Sequence, residues 1–137
     1  MTTSENGLKF IELNEGFSAT AYNDNGKLCW GYGHDQQPGE NAPESLTEEE
    51  AEALLINDLA TRIEPTVNAL VPPTCTQNQF DALCDFAYNL GVGSLHIMLS
   101  HGWDQAPVQI PRWDNVNNQP NQGLQARRSK EVVLFNS

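Results

Sequence analysis

The chain has 137 residues, of which 39% are hydrophobic and 18% charged, and its net charge is −11. This composition predicts a single globular domain over residues 1–137. Because so acidic a chain is poorly suited to binding a phosphate backbone, we expect no nucleic-acid partner. No run approaches the roughly 18 apolar residues of a membrane helix, and the first residues lack the basic and apolar blocks of a signal peptide. We therefore expect a chain that stays in the cytoplasm where it is made, without stable membrane insertion.

The first predicted elements are a helix and a β-hairpin. Apolar residues at helical spacing predict a helix over 4–15, with Gly16 as its stop signal. An Asp-Asn-Gly turn signal beginning at Asp24 separates two short extended runs and predicts a hairpin from about residue 20 to 32. The glycine and prolines of residues 36–46 indicate a polar loop.

Two capping boxes predict where the longer helices begin. Thr47 and Glu50 have the required spacing and precede an amphipathic helix, in which Pro65 predicts a kink or a break. Thr76 and Gln79 form a second pair, which opens a nearly all-apolar helix. This second helix is predicted to lie at the centre of the molecule.

The last third of the chain carries weaker signals. Short helices are predicted at 94–100 and 107–114, and a terminal helix from Gly123. Helices that follow one small hairpin indicate the α+β class.

Cysteine usage indicates a reducing compartment. Three cysteines cannot all pair within one chain, and none forms a C-x-x-C unit, so a zinc site is not expected. Cys75 and Cys84 are predicted to be small apolar fillers of a helical core. Cys29 lies in the predicted hairpin and needs separate treatment.

Glu15 and Asp24 are the first residues for which chemistry can be argued. Two carboxyl groups across a cleft can hydrolyse a glycosidic bond, because one with a raised pKa protonates the leaving oxygen while the other activates water. Residue type alone is a weak signal for this chemistry. Most acidic side chains are solvated, and Asp-Asn-Gly is ordinary turn chemistry.

The order of residues around the two carboxyl groups carries a stronger signal. Glu15 is followed by glycine, Asp24 comes after eight intervening residues, and a glycine turn leads to the Gly-Tyr-Gly-His run ending at His34. This pattern resembles the phage-type lysozymes, T4-like and lambdoid, of glycoside hydrolase family 24. The similarity continues through TEEEAEALLINDL, TQNQFDALCDFAYNLGVGSL and the terminal RW…GL…RR…E…LF. It implies a lysozyme-like two-lobed α+β domain, in which a cleft separates a small β-hairpin lobe from a larger helical lobe.

Residue by residue, the resemblance implies three catalytic positions. Glu15 matches the family's acid, and Asp24 matches the carboxylate that supports the transition state or the attacking water. Cys29 occupies the column of the family's threonine, and a thiol is a weaker hydrogen-bond partner for water than a hydroxyl. Packing under Trp30 is the alternative role for Cys29. A nucleophilic thiolate is disfavoured because no cation or base adjoins it in sequence.

Three further residues are candidate substrate contacts. Tyr32 either stacks on a sugar ring or belongs to the core of the small lobe. His34 either binds substrate or, as the family resemblance favours, ties the hairpin lobe to a carboxylate elsewhere, with Asp58 and Asp35 as candidate partners. The family resemblance also implies that Asn89 reaches the cleft.

The function implied by the resemblance is that of an endolysin. The chain would be a muramidase that hydrolyses the β-1,4 bond between N-acetylmuramic acid and N-acetylglucosamine, without a metal or cofactor, as a monomer held in the host cytoplasm until lysis. Arg127 and Arg128 are predicted either to contact anionic peptidoglycan or to lie on a solvated helix face. The alternatives are a lytic transglycosylase and a catalytically weak peptidoglycan-binding remnant.

Overall fold

The computed structural model describes residues 1–137 and confirms the α+β class, with seven α-helices and five short strands. The strands form an antiparallel sheet in the order β1-β2-β3 and a separate β4-β5 pair. The helices are α1 (Glu5–Glu15), α2 (Glu48–Asp58), α3 (Glu64–Leu70), α4 (Gln77–Leu90), α5 (Val92–Leu99), α6 (Ala106–Gln109) and α7 (Gln122–Phe135). The strands are β1 (Ser18–Asp24), β2 (Lys27–Gly31), β3 (His34–Asp35), β4 (Asn115–Val116) and β5 (Gln119–Pro120).

The start of α1 is fixed to α4. Ser4 is the N-cap, and its hydroxyl accepts a hydrogen bond of 3.0 Å from the backbone N–H of Gly7. The backbone N–H of Ser4 donates to Asp81 Oδ1 at 3.0 Å, and its hydroxyl also contacts Asp81. A Cβ added at Gly7 would lie 2.7 Å from Asp81 Oδ1, so only glycine fits there. These contacts hold α1 against α4, and α1 carries Glu15 at its other end.

The predicted hairpin is present, with a third strand beside it. Asn25 and Gly26 join β1 to β2 with φ of 50° and 86°, the left-handed pair required by a two-residue type I′ turn, and Asp24 pairs with Lys27. The sequence did not predict β3, because two residues are too short for a periodic signal.

The helix predicted from Thr47 begins there and breaks before Pro65. Both bonds of the capping box are present, with Glu50 N–H donating to Thr47 Oγ1 at 3.1 Å and Thr47 N–H donating to Glu50 Oε1 at 2.9 Å. A π-helical turn, Leu59–Ile63, separates α2 from α3. Pro65 lies in the first turn of α3, where a missing N–H is tolerated. In a regular helix its ring would clash with the carbonyl four residues earlier, and the wider π-helical turn leaves room for the ring.

Helix α4 is the centre of the hydrophobic core, as predicted. Every residue from Phe80 to Ala87 is buried, including Cys84, which fills the core as expected. Eighteen buried residues from Ile11 to Phe135 form one apolar cluster. Cys75 lies in the turn before α4, where it is only half-buried and packs against the edge of this cluster. None of the helices combines the length and the apolar character needed to cross a bilayer.

The C-terminal third differs from its prediction in two places. The helix predicted at 107–114 is a short α6 flanked by two 3-10 turns, and a small hairpin, β4-β5, follows it. Asn117 and Asn118, both with positive φ, form the turn of this hairpin. Asparagine tolerates a positive φ better than most residues, so the Asn-Asn pair is a turn signal. The terminal helix begins at Gln122, with Asn121 Oδ1 accepting from the N–H of Leu124 at 2.9 Å.

Candidate active site

A polar groove of about 290 Å³ opens between the hairpin sheet and the helical body. Four of the six predicted site residues line it: Glu15, Asp24, Cys29 and Asn89. The other lining residues are Tyr22, Asn25, Lys27, Gly33, Asp35 and Tyr88. The groove continues past Asn89 into a second cavity of about 360 Å³, which Lys27 and Arg62 also line. The structure thus brings two predicted carboxyl groups to one elongated depression.

Glu15 is the last residue of α1 and points into the groove. Gly16 follows with φ of 75°, which turns the chain away from the helix axis and toward β1. The Glu15 side chain is 17% exposed, and its Oε2 lies 2.7 Å from Arg127 Nη1. One carboxyl oxygen is therefore held by a cation, while the side chain keeps a small opening to solvent.

Burial raises the pKa of Glu15 above its ordinary value, because desolvation disfavours the charged form. Arg127 opposes this effect through its charge and its hydrogen bond, whereas the negative charges of Asp85 and Asp35 add to it. The net shift is upward. A carboxyl group whose pKa is raised in this way keeps its proton closer to neutrality, which is what a general acid requires.

Gly33 allows the backbone to pass directly beside Glu15. Its φ is 78°, and a Cβ built on it would overlap Glu15 Oε1 and lie 3.0 Å from Glu15 Cδ. Because Arg127 holds the Glu15 carboxyl group in place, that group cannot move aside freely. The glycine in the Gly-Tyr-Gly-His run is therefore required by the position of Glu15 as well as by the backbone.

We expect Gly33→Ala to lower turnover by about 100-fold, because the new methyl group displaces a group that must lie within about 3 Å of its target. Gly39→Ala is the matched control. Gly39 also has a positive φ, 83°, but nothing lies within 4 Å of an added Cβ. Both variants therefore carry the same kind of backbone strain, and only one disturbs Glu15. Equal activities in the two variants, normalised for thermal unfolding, would contradict the positional role of Gly33.

Asp24 is the last residue of β1 and is exposed at the groove. The hydrogen bond from a side chain to the turn comes from its neighbour, since Asn23 Oδ1 accepts from the N–H of Gly26 at 2.9 Å. The Asp24 carboxylate makes no side-chain hydrogen bond within the protein. It is therefore free to bind a water molecule or a sugar.

Cys29 lies in β2 below the groove, and its environment excludes a thiolate near neutral pH. The residue is buried, and its Sγ is 3.2 Å from Asp35 Oδ1. Burial and the bond to Asp35 raise the pKa of Cys29 to about 11. The side chain is thus a thiol that donates toward Asp35, and both residues line the groove.

Of the two roles predicted for Tyr32 and for His34, the structure places both residues in the structural role and not in substrate contact. The Tyr32 side chain is buried within the hydrophobic cluster, and only its carbonyl reaches toward α4, accepting from Tyr88 Oη at 2.7 Å. His34 is also buried, with Nδ1 2.6 Å from Asp58 and Nε2 2.8 Å from Glu40. Neither side chain is available to a substrate, because both are used to attach the sheet to the helical body.

The two arginines of α7 are corrections, because they are neither on a solvated face nor available to an anionic polymer. Arg127 bridges Glu15 and Asp85, with Nε and Nη2 at 3.0 Å and 2.8 Å from the Asp85 carboxylate. Arg128 is fully buried; its Nη2 donates to Asn89 Oδ1 at 2.6 Å and to Glu131 Oε1 at 2.8 Å. Asn89 is thereby oriented from below the groove.

A sequence signal for these buried arginines existed. Both follow Leu124 at helical spacing, and Glu131 and Phe135 continue the same face of α7. The apolar ends of this stripe predict that the face is buried, and the charged residues between them must then pair with each other or with residues of α4.

No group of three or more His, Cys, Asp or Glu side chains is placed to hold a metal ion.

Comparisons with known proteins agree on one family. The family model described as Phage lysozyme matches residues 12–131. The endolysin of Lactococcus phage c2 is 35% identical over 99% of this chain, and that of Bacillus phage PZA is 36% identical over 100%. This chain covers 61% and 56% of those two relatives, so it spans little more than half their length. The endolysin of Salmonella phage P22 is 31% identical, with 98% of each chain covered.

Solved structures give the same result for the fold. The muramidase domain of SpmX from Asticaccaulis excentricus has a TM-score of 0.84 and 31% identity, covering 99% of this chain and 98% of its own. A mutant of P22 lysozyme has a TM-score of 0.81 and 28% identity, covering 100% and 99%. The lysozyme-like fold implied by the motif is therefore confirmed.

Proposed function

The chain belongs to the phage lysozyme family, and on that premise we propose that it is a glycoside hydrolase, a muramidase that cleaves the β-1,4 bond between N-acetylmuramic acid and N-acetylglucosamine in bacterial peptidoglycan. The observation that carries the proposal is the contrast between the two carboxyl groups of the groove. Glu15 is largely buried and has a raised pKa, whereas Asp24 is exposed and has no partner in the protein. This division of environments is what separates an acid from a base in glycosidases.

In the proposed reaction, Glu15 gives its proton to the glycosidic oxygen as the bond to the anomeric carbon breaks. The resulting Glu15 carboxylate is stabilised at once by Arg127, whose Nη1 already lies 2.7 Å from Oε2. Asp24 accepts a proton from a water molecule and directs the remaining hydroxide to the opposite face of the sugar. The anomeric configuration is then inverted, and the enzyme is regenerated when Asp24 releases its proton and Glu15 takes one up from solvent.

The leading alternative is a lytic transglycosylase, in which one acid suffices and the muramic acid's own hydroxyl replaces water. Asp24 favours hydrolysis over this alternative, because a second carboxylate at the groove can activate a water molecule, which a transglycosylase does not need. The two reactions differ in product, since a transglycosylase leaves a 1,6-anhydro end.

The other alternative is a peptidoglycan-binding remnant without turnover. Such a protein has no need to keep a carboxyl group partly buried against an arginine, an arrangement whose desolvation has a free-energy cost. A direct test is the loss of turbidity of permeabilised Gram-negative cells, together with release of reducing sugar. Binding to purified walls with no released sugar would support the remnant and contradict the muramidase.

Peptidoglycan is the proposed partner, and the chain acts on it as a monomer, without nucleic acid. It is proposed to remain in the host cytoplasm until lysis and to reach the wall once a separate factor permeabilises the membrane. The net charge of −11 is consistent with this choice of partner, because general binding to nucleic acid relies on Lys and Arg.

Cys29 is proposed to assist, without reacting, at the water-binding side of the groove. We expect Cys29→Thr to raise turnover modestly, by about 2-fold, because a hydroxyl of similar volume forms stronger hydrogen bonds with water and with Asp35. Cys29→Ser should stay active, and mass spectrometry should detect no covalent glycosyl-enzyme. Cys29→Ala is the control for packing. Equal activity in all three variants would leave only a packing role, and an inactive Cys29→Ser would indicate a nucleophile.

A further inference from the structure

A cluster of buried charges extends from the groove into the helical body. We call Asp85, Glu131, Arg127 and Arg128 the buried ion cluster, with Glu15 at its groove end. The side chains of Asp85, Glu131 and Arg128 are 0% exposed, and that of Arg127 is 9% exposed. Arg127 links Glu15 to Asp85, and the proposed mechanism uses this one link of the cluster. The role of Glu131 is left to explain.

The two oxygens of Glu131 have different surroundings. Oε1 accepts from Arg128 Nη2 at 2.8 Å, whereas Oε2 is buried and no donor reaches it. An ionised carboxylate with a bare, buried oxygen is costly, because nothing in the protein replaces its lost water. The neighbouring group is the Asp85 carboxyl group, and both of its oxygens already accept hydrogen bonds from Arg127. A proton on Oε2 would convert this contact into a hydrogen bond.

We propose that Glu131 is a neutral carboxylic acid whose O–H donates to Asp85, and that it is a positioning residue for Glu15, acting through Asp85 and Arg127. The inference rests on the proposed role of Glu15 as the acid. Burial and the neighbouring Asp85 raise the pKa of Glu131 to about 10, well above the pH at which the protein would work. This direction agrees with the neutral state that the unpaired oxygen indicates. Arg128 and Arg127 oppose that shift without cancelling it.

The charge balance of the cluster explains why a neutral Glu131 suits an acid at Glu15. Before proton transfer, one negative charge on Asp85 faces two positive charges on the arginines, and the cluster has a net positive charge. When Glu15 loses its proton, the new carboxylate balances that excess. An ionised Glu131 would instead give the cluster a net negative charge after transfer, so donation by Glu15 would be opposed. Asp35, on β3, is the other charged group that affects Glu15.

The test compares pH profiles of kcat/KM for the wild-type chain, Glu131→Gln and Asp85→Asn. Activity is lost toward high pH as Glu15 loses its proton. Asp85→Asn is the reference variant, because it removes a negative charge that acts on Glu15. Asp85 raises the pKa of Glu15, so its removal should move the alkaline limb to lower pH by about half a unit or more. Glu131→Gln removes no charge if Glu131 is neutral, and its amide still donates to Asp85, so the limb should stay within about 0.3 pH unit of the wild type. A shift equal to that of Asp85→Asn would overturn the proposal.

Two further measurements complete the test. Glu131→Ala removes the donor to Asp85, so kcat should fall by about 10-fold, and Gln at the same position should restore it; equal losses in both variants would contradict the positioning role. The infrared difference spectrum between the wild type and Glu131→Gln at neutral pH should contain a protonated carboxyl band, and its absence would overturn the neutral state. This spectrum needs no turnover, so it tests Glu131 even if the chain proves inactive, which would contradict the proposed muramidase instead.

Discussion

Glu15→Gln should reduce the release of soluble fragments from peptidoglycan by on the order of 100-fold or more, because the amide keeps the shape of the side chain and has no proton to give. The carbonyl oxygen of glutamine can still accept a hydrogen bond from Arg127, which lies 2.7 Å from Oε2 of the native carboxyl group. The variant should therefore fold and bind its substrate. Initial rates on purified walls and thermal unfolding of the same preparation measure the two effects separately.

The outcome of this substitution has a matched reference in Glu12, which lies one turn earlier on α1. Glu12 also has a raised pKa, about 7, caused by burial and by its contact with Glu52, but it does not line the groove. Glu12→Gln should leave the rate within about 2-fold of the wild type. Near wild-type activity in Glu15→Gln, or an equal loss in the two variants, would show that Glu15 is not the acid.

Arg127→Ala should destabilise the protein by about 3–5 kcal/mol, the cost of leaving a buried carboxylate without its partner. Arg127 makes two hydrogen bonds to Asp85, whose side chain is 0% exposed, and one ion pair to Glu15. The surviving fold should also be a poor catalyst, because the newly formed Glu15 carboxylate would lose its stabilising cation. Denaturant unfolding and turnover at a temperature well below the transition measure both losses.

Lys130→Ala is the control, since it removes an exposed cation from the same helix. The Nζ atom of Lys130 donates only to Asn14, at 2.9 Å. Its effect on stability should stay within about 0.5 kcal/mol. Arg127→Lys keeps the charge but not the planar pair of donors, so it should recover only part of the loss. A cost below about 1 kcal/mol for Arg127→Ala would mean that solvent reaches Asp85 and that the ion pair is not structural.

Local chemistry allowed much of this fold to be predicted from the sequence. Thr47 and Thr76 begin their helices where the capping boxes placed them, and the Asp-Asn-Gly turn joins β1 to β2. These features depend on residues within four positions of one another. The π-helical turn before Pro65 escaped prediction, because nothing local distinguishes a kink at the proline from a wider turn ahead of it.

The site was predictable only as far as the family motif extends. Glu15, Asp24, Cys29 and Asn89 were expected at the cleft, and they line the groove together. The predictions of substrate contact for the remaining residues failed because those side chains are buried, and burial depends on contacts between residues that are distant in sequence. His34 is covered because Asp58 and Glu40 reach it, and the pairing of Arg127 with Asp85 joins residues 42 positions apart.

Mass spectrometry of the fragments released from purified peptidoglycan tests the muramidase assignment most directly. A muramidase releases fragments whose reducing end is N-acetylmuramic acid, which borohydride converts to the alcohol, and the Glu15→Gln variant should release almost none. Fragments ending in 1,6-anhydro-N-acetylmuramic acid would identify a transglycosylase. Fragments with N-acetylglucosamine at the reducing end, or no soluble fragments from folded wild-type protein, would contradict cleavage of the proposed bond.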